Sequence, residues 1–233
     1  LTRQPKHGNL SAEESAKKLA TLLDKGASLK ECRKAAWILA KEGDTKTLSA
    51  LKQILTDPTS APDLKTAIVE GIAYSADPQK KEVFLSALND QSEAVARAAI
   101  KGLAVIGDED CISVLSDIVW SPDESSNIRS EAIMSLGKIP DPMAYKSLVD
   151  LYSESASQNN ADSQEEIITA LGQRDIAETG AFFDQILKGK EADPTLRLAV
   201  AESLEEAQGD VSPFLVNMLY DEDSEVRAGA AWA

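Results

Sequence analysis

One pattern constrains this chain more than any other: a small-residue, leucine-bearing stretch that returns in phase along nearly its whole length. Aligned by one slot, it gives Cys32, Lys65, Ala96, Arg129, Gln164, Arg197 and Arg227, at spacings of 33, 31, 33, 35, 33 and 30. Three positions after each slot sit Ala35, Ile68, Ala99, Ala132, Ile167, Val200 and Ala230, and seven positions after come Leu39, Ile72, Leu103, Leu136, Leu171 and Leu204. Offsets of 0, 3 and 7 fall on one face of a helix. Each such run ends at a break carrying an aspartate (Asp44, Asp77, Asp108, Asp141, Asp175, Asp210) and is followed by a second apolar stripe, such as Ile112, Leu115 and Val119. The unit is therefore a helical hairpin. One hairpin cannot bury both apolar faces, so the pattern demands like neighbours stacked on either side.

The break aspartates are expected to cap the second helix of each pair, where an acidic side chain accepts from free backbone N–H groups and complements the helix dipole. At Asp77-Pro78 and Asp141-Pro142 the proline suits the first helical position, which misses no donor. Residues 1–10 hold Pro5, Gly8 and the single His7 without periodicity and read as a flexible tail. Ser11 and Glu14 form a capping box that opens a helix over 11–27, an end cap on the stack. Repeats are predicted over 28–58, 59–91, 92–123, 124–160, 161–192 and 193–222, with a partial one at 223–233. The polar stretch Ser153–Ser163, SESASQNNADS, reads as a mobile surface loop. The chain stops one residue before the aliphatic expected at 234, so its last helix is cut short.

Segments such as Asn127–Gly137 (NIRSEAIMSLG) and Ser224–Trp232 (SEVRAGAAW) resemble the first helix of HEAT-like repeats of the phycobilisome-lyase type. The resemblance covers about residues 28–233. It implies an all-α, right-handed α-α superhelix of about six helical hairpins plus the capping helix and a truncated last helix. First helices would lie on the convex side, and second helices would line a concave groove that holds a partner. The leading expectation is a non-catalytic protein-interaction scaffold. The alternative, also implied by the resemblance, is a bilin lyase or lyase subunit acting on phycobiliproteins.

Composition narrows the chemistry. With a single histidine, in the tail, Ser–His or Cys–His catalysis lacks its base and most metal sites lack ligands, so no catalytic residue, metal or cofactor is expected. Cys32 and Cys111 lie two repeats apart within apolar runs and read as small buried hydrophobes. Asp221–Glu225 looks like part of a calcium loop, but Val226 stands where such a loop needs glycine, so a capping turn is expected. No apolar run is long enough to span a bilayer, and no membrane association is expected. Leu1 in first place leaves a removed leader open, with a cytoplasmic location favoured.

The net charge of −15 is unevenly spread: +5 over residues 1–56, −7 over 57–149 and −13 over 150–233. Nucleic acid is disfavoured as a partner, since only Lys46, Lys52, Lys80 and Lys81 could begin a basic patch. The gradient instead admits salt-sensitive head-to-tail self-association of a basic head with an acidic tail. Nine residues after the break aspartates come Gln53, Ser86, Asp117, Asp150 and Asp184, so three successive repeats place a carboxylate at the same height. With Trp120 and Tyr220 as aromatic anchors, this ladder is the expected receptor for a basic or extended segment of a partner protein.

Overall fold

In a computed structural model, the structure describes residues 28–42, 45–158, 160–188 and 193–233. The tail and capping helix expected over 1–27, Asp44 and the side chain of Cys32 lie outside the described residues. Thirteen α-helices follow in order: α1 Leu29–Glu42, α2 Thr45–Thr56, α3 Pro62–Ala73, α4 Lys80–Ala87, α5 Glu93–Ile106, α6 Glu109–Trp120, α7 Ser126–Gly137, α8 Pro142–Ser157, α9 Ala161–Gly172, α10 Ile176–Lys188, α11 Pro194–Leu204, α12 Ser212–Met218 and α13 Ser224–Trp232. They fall into two compact units that divide after Ile106.

Within the first unit, α1, α3 and α5 pack one on the next, with α2 and α4 against them. The phased positions are its core: Ile68, Ile72, Ala99 and Leu103 are at most 1% exposed. Phe84 of α4 is fully buried, and its ring lies 2.6 Å from where a Cβ on Gly102 of α5 would stand, so only glycine admits it there.

In the second unit α7, α9, α11 and α13 form the corresponding row. Leu136, Leu171 and Leu204 are buried along it. A Cβ on Gly137 would stand 2.5 Å from the Ala170 carbonyl oxygen, and one on Gly172 2.5 Å from Ser203 Cβ, so small residues set how closely these first helices approach. α6 packs on α7 and α8, α8 on α7 and α9, α10 on α9 and α11, and α12 on α13. α8 and α10 meet through an edge-to-face pair, Tyr152 and Phe182, with ring centroids 5.0 Å apart.

The breaks behave as capping turns. Asp108 accepts from the Cys111 N–H at 2.9 Å, Asp141 from Met143 at 2.8 Å and Asp175 from Ala177 at 2.9 Å, whereas Asp210 closes a turn on the Ser212 N–H at 3.1 Å and Val211 takes the N-cap of α12. Pro142 occupies the start of α8 as expected, whereas Pro78 does not start α4. Asp77 instead closes a turn on the Gln79 N–H at 2.7 Å, and the helix begins at Lys80. Gly107 and Gly209 reach the breaks at φ 63° and 103°, a region glycine enters without steric cost.

The expected loop over 153–163 is mostly helix, since α8 continues to Ser157 and α9 begins at Ala161. Its serines do not break the helix because they bond back to it: Ser153 donates to the Val149 carbonyl at 3.0 Å and Ser157 to that of Glu154 at 2.7 Å. Ser155 points inward and is buried.

Candidate functional site

Two kinds of functional-looking residue emerge, and they separate cleanly. The slot residues are structural. Lys65 donates to Asp90 at 2.9 Å, Arg129 to the Glu124 carbonyl, and Arg197 through two nitrogens to both oxygens of Asp221, each at 2.9 Å. In each case a cation at the start of a first helix grips a loop between repeats. The Arg197 guanidinium, bonded to Asp221, holds that carboxyl below its ordinary value and has its own proton affinity raised in return. Gln164, in the same slot, instead hydrogen-bonds Tyr152, whose hydroxyl burial pushes upward. Asp223 caps α13 on Glu225 and Val226, so the Asp221–Glu225 segment is spent on ion pairing and capping. No group of three or more metal-ligating side chains occurs among the described residues.

The second kind lines a cleft of about 590 Å³ where α6 and α8 pack together. Ser116 and Trp120 come from α6; Ser147, Asp150 and Glu154 come from α8, and Gln158 caps its C-terminus. The α8 residues recur at intervals of three or four, which puts them on one helical face. Trp120, 39% exposed, ends α6 and supplies an aromatic surface. Asp150 is exposed, while Glu154 accepts from Gln158 at 3.1 Å and is exposed as well. Ser116 turns its hydroxyl back to the Ile112 carbonyl, leaving the carboxylates as the dominant charge. The cleft thus combines a flat aromatic ring with two carboxylates and no lining cation, a setting that attracts a cationic group.

The proposed ladder is distributed unevenly. Asp117 is exposed on α6 but does not line the cleft. Asp184 on α10 is half-buried and ion-paired with Lys188, one turn on in the same helix. Tyr220, 86% exposed, stands beyond the end of α12 and apart from this cleft. Only Asp150 and Trp120 of the five are brought together. Glu154 and Gln158 escaped the sequence reading because their segment looked like a loop; the i, i+4 spacing from Asp150 was the signal that could have revealed them.

A larger cleft, about 920 Å³, opens in the first unit between α2, α4 and the adjoining links. Its charges are of both signs: Lys65 donates to Asp90, Lys52 donates to Gln79 at 3.0 Å, and Glu82 also lines it. Of the suggested basic patch, Lys80 is likewise turned onto the Ser75 carbonyl at 3.2 Å.

Stacked helical hairpins with phased cores and capped breaks define an all-α repeat protein of the solenoid class. The HEAT repeats family model matches residues 59–125 and 81–161, so this part of the chain is similar to HEAT repeats. That match is to HEAT repeats in general and does not single out the phycobilisome-lyase type. Among solved structures, human deoxyhypusine hydroxylase in complex with glycerol is similar at 16% identity and TM-score 0.41, covering 93% of this chain and 82% of that one. A designed armadillo repeat protein in complex with the peptide (KR)4 is similar at 16% identity and TM-score 0.43, covering 95% and 97%. No curated protein matches the chain in sequence. No described helix is long and apolar enough to cross a membrane.

Proposed function

We propose that this protein is a non-catalytic interaction scaffold that receives a basic, extended segment of a partner protein along α6 and α8. The observation that carries the reading is the cleft itself, which sets Trp120 beside Asp150 and Glu154 with no cation among its lining residues. A lysine or arginine entering it gains a ring face and two acceptors at once, and arginine gains more because its planar fork both stacks and pairs. Asp117, exposed on α6 outside the cleft, adds a further carboxylate on that helix. The −13 carried by residues 150–233 adds long-range attraction that speeds encounter and weakens with salt.

The test is affinity capture with the full chain as bait, wild type against the Trp120→Ala/Asp150→Asn double variant. A partner rich in lysine and arginine is expected on the wild type and lost from the variant. Identical capture by both baits overturns the reading.

A further inference from the structure

We propose that Lys188 is a specificity-determining residue that ends the cation-receiving surface at α8, by occupying Asp184 in place of a partner's lysine or arginine; the inference rests on the cleft of α6 and α8 being the receptor. Two columns of the repeat carry the argument. Nine residues after the break aspartates of α6, α8 and α10 stand Asp117, Asp150 and Asp184, and thirteen after stand Ser121, Glu154 and Lys188. Residues four apart face the same way on a helix. α8 therefore presents two carboxylates where α10, its neighbour through Tyr152 and Phe182, presents a carboxylate and an ammonium. That ammonium is engaged: Lys188 Nζ donates to Asp184 Oδ2, one turn back in the same helix. The sign of charge at one position of the repeat, Glu154 against Lys188, separates a surface that attracts cations from one that supplies its own.

The Lys188 contact is weakly held. The side chains of Lys188 and Asp184 are 72% and 40% exposed, and an ion pair between such groups contributes little to the fold because water screens both charges. Arg197 on Asp221 differs, with both side chains mostly buried. Removing Lys188 therefore leaves the helix intact and opens Asp184 to a competing cation. Beyond α10 the column ends in Leu219, so Asp184 is the last carboxylate it offers. Length then separates a partner that reaches Asp184 from one that stops at the cleft. An extended chain advances about 3.3 Å per residue and packed helices stand about 10 Å apart, so one further repeat takes about three residues.

The test is titration of the full chain with two lysine- and arginine-rich peptides, of about four and about eight residues. Lys188→Gln is expected to tighten the longer peptide about threefold, the worth of one exposed pairing, and to change the shorter by less than about twofold. Lys188→Glu, which copies the Asp150 and Glu154 pair, should tighten the longer about tenfold. Lys138→Gln removes the same charge from the exposed end of α7 and is expected to leave the preference between the peptides unchanged. The unfolding midpoint should hold in all three, since the exchanged side chains are exposed. No tightening by Lys188→Gln, equal tightening of both peptides, or the same tightening by Lys138→Gln overturns the proposal and leaves the reading of the cleft in place. A wild type that takes up neither peptide overturns that reading, and this proposal with it.

Discussion

Two clefts among the described residues, one in each unit, differ in the opposite sense from their size. The one in the first unit is larger, about 920 Å³ against about 590 Å³, yet its lining charges are of both signs, with Lys65 ion-paired to Asp90 and Lys52 bonded to Gln79. The one in the second unit is smaller and leaves an aromatic ring beside two carboxylates with no lining cation. In a helical repeat the gaps between second helices arise from packing alone, so volume says little about use. What distinguishes a receptor is charge of one sign that the protein does not itself neutralise. The same contrast holds for the slot: Lys65 holds Asp90 by one bond in the first unit, and Arg197 holds Asp221 by two in the second.

The largest expected effect sharpens that second contrast. Arg197→Ala should cost about 3 kcal/mol of stability by losing two charged hydrogen bonds to a mostly buried carboxylate, and Lys65→Ala about 2 kcal/mol, both read from urea unfolding. Because Arg197 holds the Asp221 pKa low in the folded state, its contribution is complete above the unfolded carboxylate value of about 3.9 and fades as pH falls through the depressed one. The difference between wild type and Arg197→Ala should therefore shrink in acid. Next, Asp150→Asn/Glu154→Gln should weaken binding of a basic peptide about tenfold, roughly 1.4 kcal/mol, while Lys52→Ala/Glu82→Gln in the larger cleft leaves it unchanged. Equal losses from both pairs would erase the distinction between the clefts. Gly107→Ala should cost about 1 kcal/mol, the steric charge for a Cβ at φ 63°. The smallest effect is Asp150→Asn on stability, within about 0.5 kcal/mol by thermal unfolding, since the side chain is exposed.

The fold was legible because stacking forces the same residue type into the same place again and again. Ile68, Ala99, Ala132, Ile167 and Val200 all lie in the core at the offset their spacing required. Caps at Asp108, Asp141 and Asp175 were readable for the same reason, as local chemistry repeated, whereas Asp77 and Asp210 close turns ahead of their helices. The site was only partly legible. Asp150 and Trp120 were found by column and by type, but Asp184 is taken up by Lys188, an i, i+4 pairing that a search across repeats passes over. Glu154 was hidden by composition: serine and asparagine around it signalled a loop, whereas back-bonding and the burial of Ser155 keep the helix running. Arg129 and Arg227 bond carbonyls five or six residues back in the links before their helices, whereas Arg197 holds Asp221 24 residues away, which no local pattern shows.

The most direct measurement is a titration of the full chain with an extended lysine- and arginine-rich peptide, followed by tryptophan fluorescence. Saturable binding that weakens with salt, and that is lost in Asp150→Asn/Glu154→Gln and in Trp120→Ala, is the expected result. Binding of equal strength in wild type and these variants would contradict the account.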